Sequence, residues 1–253
     1  MKKRMLLSLS AIIFSVFTFA STLPAFELGG QSVSFNAGTS FLNKYVWRGC
    51  LITDGAVLQP TLTAGYKGVS LNVWGNMDFT DDAGYKNKFK EFDYTLDYSF
   101  DFNNFSFSAG AVDYTFPDTG VKSTTEIYAG AIYNITGSPS LKIYQDVKEV
   151  KGTYFSFGGG YSFPIGEITS IDLSGALGFA TAKHNKCYYF ADSSGLTDLF
   201  IGAGFPFEVG KNISLTPSAA FTSLINSDIR DAYDKVDIDT ENIIFGITVS
   251  ADF

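Results

Sequence analysis

Apolar and polar residues alternate along most of this chain. The final stretch shows it plainly: Ile243, Phe245, Ile247, Val249, Ala251 and Phe253 take every second position, with Gly246, Thr248, Ser250 and Asp252 between most of them. A period of two makes a strand with one oily and one wet face. The same alternation is clear in Val69 to Phe79 and Glu91 to Phe100. It is weaker in Val33 to Arg48, Leu58 to Tyr66, Phe105 to Tyr114, Thr125 to Tyr133, Leu141 to Val147, Tyr154 to Phe163, Ile171 to Ala180, Leu199 to Phe207 and Ile213 to Thr222. With Asn242 to Phe253, twelve strands are expected.

The connections alternate too. Short links fall at Lys67-Gly68, Asp101 to Asn104, Asn134 to Ser140, Pro164 to Ser170 and Glu208 to Asn212. The links between them are longer, apart from Lys148 to Thr153. Short turns on one side and long loops on the other, with an even strand count, is the layout of an all-β, antiparallel up-and-down transmembrane β-barrel. Each strand descending to the side of the short turns, taken as the periplasmic one, ends on an aromatic of its oily face: Tyr66, Phe100, Tyr133, Phe163, Phe207 and Phe253. These read as a lower aromatic girdle, with Tyr45, Trp47, Phe79 and Phe92 as the upper one. Two places resist the pattern. Pro217 interrupts a strand interior, where a bulge is expected, and Leu141 to Val147 barely alternates, so that strand should be short.

The amino end sets the compartment. Lys2, Lys3 and Arg4 precede an apolar run from Met5 to Ala20, then small residues and Pro24, the layout of a secretory signal peptide with cleavage after Ala20 or Ala25. Residues 1–25 are thus a signal and 26–253 one barrel domain. Losing the three basic residues takes the basic count from 18 to 15 against 26 acidic, a mature charge of −11. That balance argues against nucleic acid as a partner. No later apolar stretch reaches the roughly 20 residues a spanning helix needs, and lipid tolerates only a closed barrel otherwise. The expected place is a bacterial outer membrane, with its lipids and lipopolysaccharide as surroundings.

Alternation alone does not say which face is inside. The polar face is rich in Ser, Gly, Thr and Ala and carries few Lys, which suits a water-filled lumen better than an ordinary soluble surface. The lumen candidates are Trp74, Asp78, Glu91, Asp93, Asp97, Glu126, Asp172 and Asp198, with Lys44 and Arg48 facing inward if the first strand keeps its alternation. Carboxylates along a lumen favour cations and oppose anions. The competing reading is that these charges pair with one another inside a filled barrel.

Asn43-Lys44-Tyr45-Val46-Trp47-Arg48-Gly49, with Asp54-Gly55 and Leu58-Gln59-Pro60, resembles the start of the Gcw_chp family of bacterial outer-membrane β-barrel proteins. Tyr144 with Asp146, and Gly152-Thr153-Tyr154, are similar to its later signature. The resemblance implies an outer-membrane barrel and no reaction. A closing strand that ends on Phe253 likewise resembles the insertion signal that barrel-assembly machinery reads.

The remaining chemistry is sparse. His184, the single histidine, is expected as a solvated loop residue, and any His-dependent hydrolysis would have to use it. Cys50 and Cys187 are the two cysteines; export permits a disulfide between them, and the sequence leaves it open. Asp228, Asp231, Asp234, Asp237, Asp239 and Glu241 read as a solvated acidic loop rather than a calcium site, since the glycine and full ligand ladder of an EF-hand are missing. No cofactor or metal motif is present. The functional expectation is porin-like passage of small cationic or neutral polar solutes. A closed structural or surface-binding barrel comes second, and a hydrolase built on His184 third.

Overall fold

A computed structural model describes residues 26–81, 84–166 and 169–253; the expected signal peptide lies outside these. Sixteen strands follow in chain order: β1 (Phe26–Leu28), β2 (Gln31–Leu42), β3 (Tyr45–Trp47), β4 (Cys50–Thr53), β5 (Val57–Tyr66), β6 (Val69–Asp78), β7 (Lys88–Phe102), β8 (Phe105–Thr115), β9 (Thr124–Tyr133), β10 (Ser140–Asp146), β11 (Thr153–Ile165), β12 (Thr169–Ala180), β13 (Gly195–Gly204), β14 (Phe207–Gly210), β15 (Ile213–Leu224) and β16 (Glu241–Asp252). Short helices span Ala182–Tyr188 and Ser227–Asp234. Neighbouring wall strands pair antiparallel in sequence order, and β2 bonds both β5 and β16, which closes a twelve-stranded barrel. Strand β1 only extends an edge of β2, β14 continues the line of β13, and β3 and β4 lie apart as a separate hairpin.

Closure leaves no unpaired edge, so the alternating faces become an outside and an inside. Leu62, Leu71, Leu96, Phe157, Ile201 and Phe245 are all exposed, and their like recur from β5 to β13 and on β16. Their polar alternates bond across the interior face, as Asn72 does to Thr61 and Thr63. The oily face therefore points out. Such a continuous apolar belt far exceeds the patches a water-soluble monomer shows.

Strand β10, with seven residues, is short as expected. Pro217 is accommodated differently from expectation. Strand β15 runs through it without a bulge, pairing Pro217 with Ile247. Its carbonyl accepts from Phe205 N–H at 3.0 Å, so its missing N–H faces the same neighbour, because N–H and C=O of one residue in an antiparallel strand point the same way. That neighbour is broken there, between β13 and β14. The irregularity sits in the partner strand, where no donor is missed.

The first strand also departs from expectation. It ends at Leu42 instead of running to Arg48. Asn43 stops it with its side chain: Phe245 N–H donates to Asn43 Oδ1 at 2.7 Å, and Asn43 Nδ2 donates to Ile243 O at 3.2 Å. A side-chain amide thus takes the ladder bonds that the next backbone groups would have made. The chain peels off the wall, and Tyr45 and Trp47 turn into the barrel instead of facing outward. Phe79 and Phe92 keep the outer face, packed on Phe41 and Phe89.

Candidate functional site

The peeled segment becomes a plug. In the β3–β4 hairpin Trp47 opposes Cys50, so Arg48-Gly49 is a two-residue turn with φ of 48° and 79°. Positive φ at both positions marks the turn type that best fits strand twist. Glycine serves Gly49 twice over, since a Cβ there would lie 2.8 Å from Asp198 and Leu224. Arg48 carries the strain of a left-handed non-glycine residue, and tertiary contacts hold it. Its guanidinium donates to Glu126 Oε1 at 2.9 Å and Oε2 at 2.7 Å, the bidentate fork of the strongest carboxylate pairs. Three rings, Trp47, Tyr144 and Tyr154, lie 4.2 to 4.5 Å from it. Burial alone would push the guanidinium's proton affinity down; Glu126 outweighs that and holds it charged.

From this one hairpin, contacts reach Trp74 of β6, Lys90 of β7, Tyr114 of β8, Glu126 of β9, Tyr144 of β10 and Tyr154 of β11. Only a segment inside a closed barrel can touch so many wall strands. The Ala182–Tyr188 helix folds in beside it, fitted so closely that a Cβ on Gly152 would sit 2.5 Å from His184 N. Asp146 organises the adjoining loop by accepting from Lys148, Val150 and Lys151 N–H groups at 2.9 to 3.0 Å. Glu126, Asp146, His184, Asn76, Thr197 and Tyr189 have no exposed surface at all. The long-loop half of the lumen is therefore a sealed, largely polar layer.

His184 is buried, not solvated as expected from its loop setting. Its ring stacks on Tyr154 at 5.4 Å; Nε2 lies 3.3 Å from an Arg48 nitrogen and Nδ1 3.4 Å from Asn185 Oδ1. That geometry suits the neutral tautomer with Nδ1–H donating and Nε2 accepting. Burial, then the Arg48 charge, pushes its pKa down to about 3. Both ring nitrogens face plug partners, and no surface is left for a substrate. The cysteines are free thiols: Cys50 Sγ accepts from Tyr233 Oη at 3.1 Å, while Cys187 is exposed.

The lumen candidates divide into two groups. Arg48, Trp74, Asp78, Glu91, Glu126 and Asp198 join the sealed layer. Asp78 pairs with Lys90 at 2.8 Å, and Asp198 accepts from Tyr154 and Thr197. Lys44, at its margin, pairs with Asp54 at 2.9 Å and donates to Asn242. Asp93 lies just below, with Oδ1 buried and unpartnered. Asp97 and Asp172 belong to the other half, near the short turns, where the inward residues are small and Ser162 and Ser174 are exposed; they accept from Tyr128 and from Ser162 and Ser170. The acidic loop contributes Asp228, Asp231 and Asp234 to the second helix, capped by Asn226.

Sequence reasoning missed Lys90, Lys142 and the ring set around Arg48. Lys90 points inward only because a bulge opposite Asn76 and Met77 turns both Lys90 and Glu91 to the same side. The consecutive Lys-Glu pair at a strand start was its one signal. For the hairpin, the signal was Arg-Gly between Tyr-Val-Trp and Cys-Leu-Ile-Thr.

Above the sealed layer the long loops enclose a cavity of about 700 Å³. Tyr45, Trp47, Tyr114 and Tyr188 form its floor and walls with Lys90 and Glu91, and Phe116, Val121, Lys122 and Glu149 reach it from the loops.

Barrels of this type are known. The KdgM porin in complex with oligogalacturonate is 12% identical at a TM-score of 0.53, with 87% of this chain and 99% of that chain covered. The NanC porin is 10% identical at 0.51, with 87% and 98% covered. At such identity the likeness is one of fold. No protein-family model matches the chain, and no curated protein sequence matches it.

Proposed function

We propose that this is a bacterial outer-membrane barrel of porin-like build that is closed at rest, passing small cationic or neutral polar solutes only when its plug yields. One contrast carries this reading: the inward face is lined by small, partly exposed residues at the turn end, yet at the loop end it is buried under one polar-latched segment. A barrel serving only as scaffold would gain by filling the turn end, since packed interiors are the more stable. The outward apolar belt supports a membrane setting, with the long loops on the cell surface beside lipopolysaccharide. The Gcw_chp resemblance supports the same setting, because its motif residues Tyr45 to Gly49, Tyr144, Asp146 and Gly152 to Tyr154 converge on the plug. Assembly by the barrel-insertion machinery through Phe253 belongs to this proposal.

Planar-bilayer recording tests it. The intact protein should show little conductance, and a variant with residues 45–53 replaced by a Gly-Ser linker should conduct with cation preference. A linker variant that folds yet stays silent, or that prefers anions at neutral pH, defeats the proposal. The second reading, a closed surface-binding barrel, is favoured by the loop-end cavity; it expects silence from both proteins.

A further inference from the structure

The charges around the loop-end cavity do not balance. Lys90 is held by Asp78 at 2.8 Å and donates to Thr53. At the rim Lys122 meets Glu149 at 3.4 Å. Glu91 remains. It lines the cavity with 7% of its surface exposed; its carboxylate has the Tyr45 hydroxyl as hydrogen-bonding neighbour, but among the described residues no lysine or arginine forms an ion pair with it. Below it, Asp93 Oδ1 is buried without a partner. A carboxylate largely withdrawn from water with no cation of its own is costly, and a ligand that brought one would relieve that cost.

Its surroundings say what kind of group belongs there. Tyr45, Trp47, Tyr85, Tyr114, Phe116 and Tyr188 line the cavity, and aromatic rings attract cations over their faces. A volume near 700 Å³ suits a ligand of drug size. An aromatic cage with a buried carboxylate at its base is complementary to an organic cation whose body is apolar. We propose that the loop-end cavity binds an amphipathic organic cation, an amine or quaternary ammonium attached to an apolar or aromatic body. Glu91 meets the charge, and Trp47, Tyr114 and Tyr188 cover the apolar part. The proposal relies on the orientation given above only for the side from which the ligand arrives.

Trp47 and Trp74 are the only tryptophans; one lines the cavity and the other packs at a tilt against Tyr45, a cavity residue, at 5.6 Å between centroids. Intrinsic fluorescence of the purified protein in neutral detergent therefore reads the site directly. Titration with benzyltrimethylammonium should give saturable quenching, at least tenfold tighter than 3-phenylpropionate, with benzyl alcohol between them. Glu91→Gln should lose at least tenfold for the cation and leave benzyl alcohol unchanged. Equal affinity for cation and anion in the intact protein overturns the proposal whether or not the variant folds. So does a folded Glu91→Gln protein that binds the cation as before, the outcome if the carboxyl simply carries its own proton. Conductance plays no part in this readout, so the proposal stands or falls separately from the gating one.

Discussion

The two halves of this lumen are made from the same strands and differ in nearly every physical respect. Toward the short turns, the inward positions of β11 and β12 are Ser156, Gly158, Gly160, Ser162, Asp172 and Ser174. They are small and at least partly exposed, so a polar group there is satisfied by neighbours or solvent at small cost. Toward the long loops the same strands present Tyr154 and Ala180, both buried against folded-in chain. There Glu126 has the Arg48 guanidinium and the Tyr114 hydroxyl in place of water, and Arg48 is the one that brings a counter-charge. Charge in the first half is a matter of field, and in the second of stability.

The strongest way to break this contrast is to remove one partner of the buried pair. Arg48→Ala leaves the charge of Glu126 dry and uncompensated, which should cost about 3–5 kcal/mol, read as a lower urea midpoint of unfolding. Next in size is Gly152→Ala. The added methyl meets the backbone and Cβ of His184 within 2.7 Å, so the helix has to shift, at about 1–3 kcal/mol. In the linker variant, with no hairpin below, the same substitution should cost less.

The His184 prediction sharpens the comparison through pH. Its folded pKa, about 3, lies below the unfolded value, about 6.5. Between those limits the unfolded chain binds the proton and the folded chain does not. Stability is therefore full above pH 6.5 and falls toward pH 3 by about 1.4 kcal/mol per pH unit from this group. The difference in urea midpoint between the intact protein and His184→Gln, followed over that window, isolates it from the carboxylates; a constant difference would contradict the buried neutral ring. Smallest of all, Asp97→Asn in the turn-end half should change stability by no more than about 0.5 kcal/mol. Its effect belongs to the linker variant's conductance, where cation preference should weaken.

How much of this was legible depends on the range of the interaction. The wall was readable because strand period, turn residues and link lengths are local, and even the shortness of β10 showed in its broken alternation. The plug was not. Arg48 and Glu126 are 78 residues apart and Arg48 and His184 136, and no periodicity links them. Worse, alternation misled: it carried the first strand through Asn43 to Arg48 and put Tyr45 and Trp47 on the outside. Asn43 spoke against that only through a side-chain bond to a strand 200 residues away.

By itself the chain determined a twelve-stranded closed wall with its oily face turned outward, because each strand's two faces are written in consecutive residues, the polar one is too rich in small residues and too poor in Lys for a soluble surface, and lipid leaves no edge unpaired. Which inward groups are wet and which are sealed was decided only in three dimensions. Burial depends on what folds back over a residue, and here the covering segment comes from a distant part of the chain, so the same carboxylate type stands in solvent at Asp172 and in a dry ion pair at Glu126.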